Sequence, residues 1–110
     1  MKKSLLISVI NYRSAEWLIP LIGDIGNSNY SERFSVYFTV LDNNSSDPKI
    51  EEIKIALNKL NETKIKSKLM LLDKNLGFGG GHNSVFSDYV EKLGTSPDFF
   101  AILNPDTRCN

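Results

Sequence analysis

The stretch Phe34-Ser35-Val36-Tyr37-Phe38-Thr39-Val40-Leu41-Asp42-Asn43-Asn44-Ser45-Ser46-Asp47-Pro48 holds a strand, a loop and a helix start in direct succession. Phe34–Leu41 is rich in β-branched and aromatic residues, which suit a pleated, packed backbone. Asp42 to Ser46 are residues whose short polar side chains bond their own backbone and so favour turns. Asp47 can cap free amides, and Pro48 loses nothing at a first helical position. Ile50, Ile53, Leu57 and Leu60 then fall on one helical face, with Glu51, Glu52, Lys54 and Lys59 mostly on the other.

The same unit recurs on either side. Leu5–Ile10 is an unbroken apolar run ending at Asn11-Tyr12, followed by a plausible N-cap at Ser14 and helical spacing at Leu18, Leu21, Ile22 and Ile25. Leu69–Leu72 reads as a short third strand. A glycine-rich loop, Gly77 to Gly81, opens a helix with apolar positions Val85, Phe86, Tyr89, Val90 and Leu93. After the turn Thr95-Ser96-Pro97-Asp98, Phe99–Leu103 reads as a fourth strand, and Asn104-Pro105-Asp106-Thr107 as a turn. The order β-α-β-α-β-α-β predicts an α/β fold: an open, mostly parallel, Rossmann-like sheet of four strands with covering helices, in one domain spanning residues 1–110.

Composition narrows the function. Thirteen Lys and Arg balance thirteen Asp and Glu. No global basic field is available for nucleic acid, so an anionic ligand must be held locally by amides, a helix end or a metal. Cys109 is the only cysteine. An intramolecular disulfide is excluded, and a reducing, cytoplasmic setting is expected. Leu5–Ile10 is too short to cross a membrane and reads as a buried strand.

Each strand runs into a polar cluster: Asn11-Tyr12-Arg13, Asp42-Asn43-Asn44-Ser45, Asp73-Lys74-Asn75 and Asn104-Pro105-Asp106. In an open parallel sheet all four line one rim, where ligands bind outside the carboxyl ends of the strands. Asp42 can accept hydrogen bonds from ribose hydroxyls or a base N–H, or simply serve a loop rich in Asx turns; chemistry alone leaves the two even. Gly77-Phe78-Gly79-Gly80-Gly81-His82-Asn83 permits close backbone approach at a helix N-terminus, which favours anions. It is not the dinucleotide fingerprint, because His82 stands where the third glycine belongs, and no G-K-S/T sequence forms a P-loop. The same stretch also suits a flexible loop that closes a helix on the sheet. His82 can donate to a phosphate or sugar hydroxyl, or be an ordinary polar loop residue. Asp106 can offer one carboxylate to Mg²⁺ or Mn²⁺, or be part of a plain turn.

Taken together, Ile7-Ser8-Val9-Ile10-Asn11-Tyr12, Leu41-Asp42-Asn43-Asn44-Ser45-Ser46-Asp47, Asn75-Leu76-Gly77-Phe78-Gly79-Gly80-Gly81-His82-Asn83 and Leu103-Asn104-Pro105-Asp106-Thr107 resemble glycosyltransferase family 2. This is a GT-A-fold family that includes bacterial rhamnosyltransferases and other polysaccharide-building enzymes. The resemblance implies an inverting transfer of sugar from a nucleoside-diphosphate donor, dTDP- or UDP-linked, to a glycan or lipid-linked acceptor. By it, Asn11 and Tyr12 lie near the nucleobase and ribose, and Asp42 contacts the nucleoside. Asn75, Gly79, Gly80, His82, Asn83 and Asn104 border the donor pocket. Asp106 matches the metal-binding aspartate of the D-x-D element, implying Mn²⁺ or Mg²⁺ as cofactor.

Two residues depart from the family pattern: Asn104 replaces the first acidic residue of D-x-D, and Arg13 stands where a small polar residue is common. Family members also continue past this turn with an acceptor site and an acidic base. The expectation is therefore a donor-binding half that transfers no sugar alone, has no catalytic residue of its own, and, with an exposed sheet edge and an uncovered apolar face, is either an oligomer or a marginally stable monomer. A sugar nucleotidyltransferase and a non-catalytic nucleotide-binding module are the competing classes. The former usually carries its glycine loop after the first strand, where Asn11-Tyr12-Arg13-Ser14 stands here.

Overall fold

A computed structural model describes residues 2–109 and gives the predicted alternation. The elements are β1 (Lys3–Asn11), α1 (Ala15–Gly26), a 3-10 turn (Tyr30–Glu32), β2 (Phe34–Asp42), α2 (Ile50–Asn61), β3 (Lys66–Leu71), α3 (Gly77–Leu93) and β4 (Phe99–Leu103). All pairings are parallel, in the order β3-β2-β1-β4. β1 and β2 run level from Lys3↔Phe34 to Asn11↔Asp42.

Two cores follow from the placement of the helices. α1 and α2 cover one face, where Ile7, Val9, Leu18, Leu21, Ile22, Ile25, Phe38, Ile53, Leu57 and Leu60 are buried. These include the whole predicted face of α1. α3 covers the other face, with Val85 and Tyr89 packed over Leu6 and Leu41. Phe86 and Val90 of α3 are partly covered, and Leu93 is exposed. The central strands β1 and β2 are buried on both faces, as a doubly covered parallel strand must be. β3 is longer than the apolar pattern predicts because Lys66 and Lys68 belong to it. Charged side chains suit an outermost strand, since they deter pairing with other chains. β4, the opposite edge, exposes Phe99 and Ile102.

The strand starts and the chain's last residues are fastened by carboxylates. Asp98 accepts hydrogen bonds from the Ser4 backbone N–H at 2.7 Å and the Ser4 hydroxyl at 3.2 Å, which sets the register in which Leu5 faces Phe99. Beyond β4, Asp24 on α1 accepts from Arg108 Nε at 2.7 Å, Arg108 Nη2 at 2.9 Å and the Cys109 backbone N–H at 2.9 Å. The Arg108 hydrogen bond, then that of Cys109, lowers the Asp24 carboxyl to about 2.

Three local expectations change. Ser14 precedes α1, but its hydroxyl donates to the Tyr12 carbonyl rather than capping the helix. α2 begins at Ile50 rather than at Pro48, because Asp47 caps a preceding turn: its Oδ1 accepts from Lys49 N at 2.9 Å. The glycine run is not a loop; Gly77 to Gly81 form the first turns of α3. Gly77 has φ of +75°, a left-handed value that glycine adopts without steric cost.

The contact between α3 and β1 explains one glycine and the histidine. A Cβ on Gly81 would lie 2.7 Å from Ile10 Cδ1 and 3.4 Å from Leu41 Cδ2, so the missing side chain is what lets the helix sit down on the sheet. One residue on, His82 is buried and its Nδ1 is 2.7 Å from the hydroxyl of Ser8, itself fully buried on β1. Its Nε2 is buried without a hydrogen-bond partner. Burial lowers the imidazole pKa, since charging the ring there would strand a cation out of water.

Two outcomes are expected. Gly81→Ala should destabilise the fold by about 1–3 kcal/mol through overpacking against Ile10, less whatever helix propensity returns. Gly79→Ala, where nothing lies within 4 Å of the added Cβ, should stabilise by up to about 1 kcal/mol. Chemical denaturation of both variants checks this, and equal effects would remove Gly81 from the packing role. Second, His82 is the only histidine, and its folded pKa lies below the unfolded value. The unfolded chain therefore binds the extra proton first, and stability should fall as pH drops below about 6.5, by at most about 1.4 kcal/mol per pH unit. Denaturation midpoints at pH 7 and pH 5.5 should differ for the natural chain and converge in His82→Gln.

Candidate site at the carboxyl ends of the strands

The rim is organised by one buried side chain. Asn11, at the end of β1, is fully buried. Its Nδ2 donates to Asp42 Oδ1 at 2.9 Å and to Asp47 Oδ2 at 3.0 Å, while its Oδ1 accepts from Ser14 N at 3.1 Å. Asp42 accepts further from the Ser45 hydroxyl at 2.6 Å on Oδ1 and from Ser45 N at 3.1 Å on Oδ2. Asp42 and Asp47 are thus two carboxylates held out of water, 6% and 8% exposed, and satisfied by amide and hydroxyl donors. Arg13, from the loop between β1 and α1, adds a positive charge, donating from Nε to the Ser45 carbonyl at 2.8 Å.

Two aspects of this loop system were not legible as motifs. Arg13, Asn44 and Ser46 all have positive φ, near +50 to +56°, although none is glycine. Such residues cost of order 1 kcal/mol or more each and persist only where their surroundings fix them. Asn43 ties the loop to α3: its Oδ1 accepts from Leu76 N at 2.8 Å and its Nδ2 donates to the Gly77 carbonyl at 3.0 Å. It sits among turn-forming residues of the same type, and only its burial, 3% exposed, separates it from Asn44.

The remaining predicted residues divide by position. Tyr12 is 55% exposed at the rim beside Asn11. Asn75 is exposed and its Oδ1 accepts from Gly77 N at 2.7 Å, fixing the turn into α3. Gly79 is exposed and Gly80 half-buried in the first turn of α3, which begins at Gly77 behind a Leu76 N-cap that makes no side-chain capping bond, and the positive end of this 17-residue helix faces the rim. Asn83 is exposed one turn further along. His82 instead points into the α3–β1 contact, its Nδ1 on Ser8. Asn104 and Asp106 are exposed in the turn after β4, where Thr107 N donates to the Asn104 carbonyl.

The strand order places these groups on one edge. The chain steps from β1 to β2 to β3 in one direction, then returns past β1 to β4, so the order reverses between β1 and β4. Asn11 lies at that reversal, flanked by Asp42 on β2 and by the turn after β4. Asp42 ends β2, and the turn that carries Asp106 follows β4, two strand positions away in the sheet order. A groove of about 760 Å³ lies elsewhere, between α1 and α2, and is lined by none of the predicted residues. That groove is a seam between two helices, lined by apolar residues such as Ile19 and Ile55 and by charged ones such as Glu16, Lys49, Glu52 and Lys59.

Among the described residues no three His, Cys, Asp or Glu side chains gather to hold a metal. Asp106 is solvent-facing and makes no hydrogen bond or ion pair among them. It fits only the role of a single carboxylate on a hard cation whose other ligands are phosphate and water.

No protein-family model matches the chain, and no curated protein matches its sequence. Solved structures do match. S. aureus TarS 1-349 aligns with a TM-score of 0.72 at 17% identity, over 96% of this chain and 28% of that one. The mannosyltransferase PcManGT from Pyrobaculum calidifontis, in complex with GDP-Man and Mn²⁺, aligns with a TM-score of 0.72 at 15% identity, over 98% of this chain and 29% of that one. TarS 1-349 in complex with UDP aligns with a TM-score of 0.67 at 16% identity, over 94% and 27%. The chain spans less than a third of these proteins. At such identity the likeness speaks to architecture, and the architecture is the Rossmann-like half of a GT-A fold, as the motif resemblance implied.

Proposed function

We propose that the chain is the donor-binding part of a glycosyltransferase, holding a nucleoside-diphosphate sugar at the rim formed by Asn11, Asp42, the first turn of α3 and Asp106. One observation carries this: the buried Asn11–Asp42–Asp47 network lies at the strand-order reversal, where open α/β sheets bind ligands. The fold likeness supports the class, and the solved relatives include both a GDP-Man complex and a UDP complex, so the fold alone leaves the base open.

Each group has a physical role in this reading. Asp42, held by three donors, is a fixed acceptor for the nucleoside, and the exposed ring of Tyr12 beside it offers a stacking surface. The start of α3, where Leu76 N and Gly77 N are already held by Asn43 and Asn75, leaves the backbone N–H groups of Phe78 and Gly79 and a positive dipole end for the diphosphate, with Gly79 leaving room for close approach. Asn75 and Asn83 flank that turn, and Asn104 and Asp106 close the rim beyond β1. A divalent cation, when bound, would neutralise charge growing on the departing diphosphate. Asp106 is the residue that would hold it. No residue of this chain is assigned as the base that deprotonates the acceptor, so transfer to a glycan or lipid-linked hydroxyl falls outside what these residues do alone.

A non-catalytic nucleotide-binding module would bind without metal dependence, and the same experiment separates the two. Thermal unfolding with UDP, dTDP and GDP, each with and without Mn²⁺, should show stabilisation that grows with Mn²⁺. At a hundredfold excess over Kd the gain is about 2.7 kcal/mol. Asp106→Ala should lose the Mn²⁺-dependent part and keep the rest; an unchanged Mn²⁺ response would remove Asp106 from the site. Asn11→Ala should destabilise the unliganded fold by about 1–3 kcal/mol, because two buried carboxylates lose a donor. A neutral effect in chemical denaturation would show that the network is not structural.

A further inference from the structure

A small pocket of about 200 Å³ lies between β3 and α3, at the opposite end of that helix from the rim. Strand register sets Lys66 beside Tyr37 and Lys68 beside Thr39, on the sheet face that α3 covers. Asp88, Tyr89 and Lys92, from the carboxyl-terminal part of α3, close the pocket from the helix.

Two features set this pocket apart from an ordinary charged edge. The first is charge. The ammonium groups of Lys66, Lys68 and Lys92 meet a single carboxylate, in a chain that balances thirteen basic against thirteen acidic residues overall. Asp88 is matched on both oxygens, by Lys68 Nζ at 2.6 Å on Oδ2 and by Lys92 Nζ at 3.3 Å on Oδ1. An ammonium carries three N–H donors, so Lys68 and Lys92 keep donors beyond Asp88. Lys66 Nζ lies 5.4 Å from the centre of the Tyr37 ring.

The second feature is a pair of hydroxyls. Thr39 and Tyr89 are 6% and 7% exposed, yet neither hydroxyl makes a hydrogen bond among the described residues. Among those residues only His82 Nε2 is both sealed from solvent and without a partner. The two hydroxyls therefore open onto space, and the space their side chains border is this pocket. Polar groups held this deep take a hydrogen-bond partner, from the protein, water or a ligand.

We infer that the pocket binds one tetrahedral oxyanion, a phosphate or a phosphomonoester, between the three lysines and the Thr39 and Tyr89 hydroxyls. Three ammonium groups less one carboxylate leave two positive charges, and a phosphate group carries about −1.5 to −2 near pH 7. The volume suits a small ion rather than a nucleotide, since sites for drug-sized ligands start at about 300 Å³. The site is thus distinct from the rim proposed for the donor.

The test is an NMR titration of the whole chain with inorganic phosphate, exchanged for chloride at constant ionic strength. Amide signals of residues 66–68 and 88–92 should shift and saturate. Tyr89→Phe and Thr39→Val each remove one hydroxyl and should weaken binding about two- to tenfold; Lys66→Gln, on an exposed lysine, should weaken it about tenfold. Vesicles of phosphatidylcholine doped with phosphatidic acid identify the source of the group. Cosedimentation that Tyr89→Phe weakens makes it a lipid headgroup, and no cosedimentation makes it a soluble phosphate. No saturable shift at these residues, or equal affinity in folded Tyr89→Phe and Thr39→Val, would overturn the pocket and leave only screening of surface lysines. Shifts confined to residues 76–79 would overturn it too, by placing the anion at the start of α3, and would leave the donor reading intact.

Discussion

The side-chain amide of Asn11 holds the carboxyl-end rim of the sheet together. Its two N–H groups go to two different carboxylates, Asp42 and Asp47, and its carbonyl receives the amide that leads into α1. Hydrogen bonds to charged acceptors are worth about 1.5–3 kcal/mol each, and the cost of leaving a buried carboxylate without a donor is of the same order. Three chain segments, the end of β1, the end of β2 and the approach to α2, are thereby fixed relative to one another. Asn43 extends the arrangement to a fourth by clasping the backbone at Leu76 and Gly77. The rim is preorganised by its own polar groups, which is what a site for a polar, anionic ligand requires.

Much of the architecture was legible because the strongest signals coincide with the greatest burial. Leu5–Ile10 and Phe34–Leu41 are apolar on both faces because β1 and β2 are covered on both sides. The spacing of Leu18, Leu21, Ile22 and Ile25 marks a helix face that is wholly buried. Signals weakened where burial did. β3 begins at Lys66, not Leu69, because an edge strand tolerates lysine where a central one does not. Asp47-Pro48 is a good helix-start signal, yet Asp47 is drawn into the Asn11 network, and the helix waits until Ile50.

The site was half legible. Asp42 stood out at the end of a strand, and of its two possible roles the structure shows that of loop organiser, accepting from Asn11 and from both the hydroxyl and the backbone N–H of Ser45. Glycine-rich sequence suggested a ligand loop, but Gly81 serves helix-to-strand packing against Ile10, and only Gly79 and Gly80 remain near the rim. A lone histidine carries no directional information in sequence. Its position one residue after Gly81 turns it toward Ser8, a contact that depends on how α3 crosses β1.

The carboxylate of Asp24 has a wider consequence. By gripping both the guanidinium of Arg108 and the backbone of Cys109, it steers the polypeptide leaving β4 down the flank of α1 instead of out over α3. The segment at Arg108 and Cys109 therefore lies on the two-helix side. The α3 side of the sheet, with Phe78 and Ile102 uncovered, would stay open to visitors.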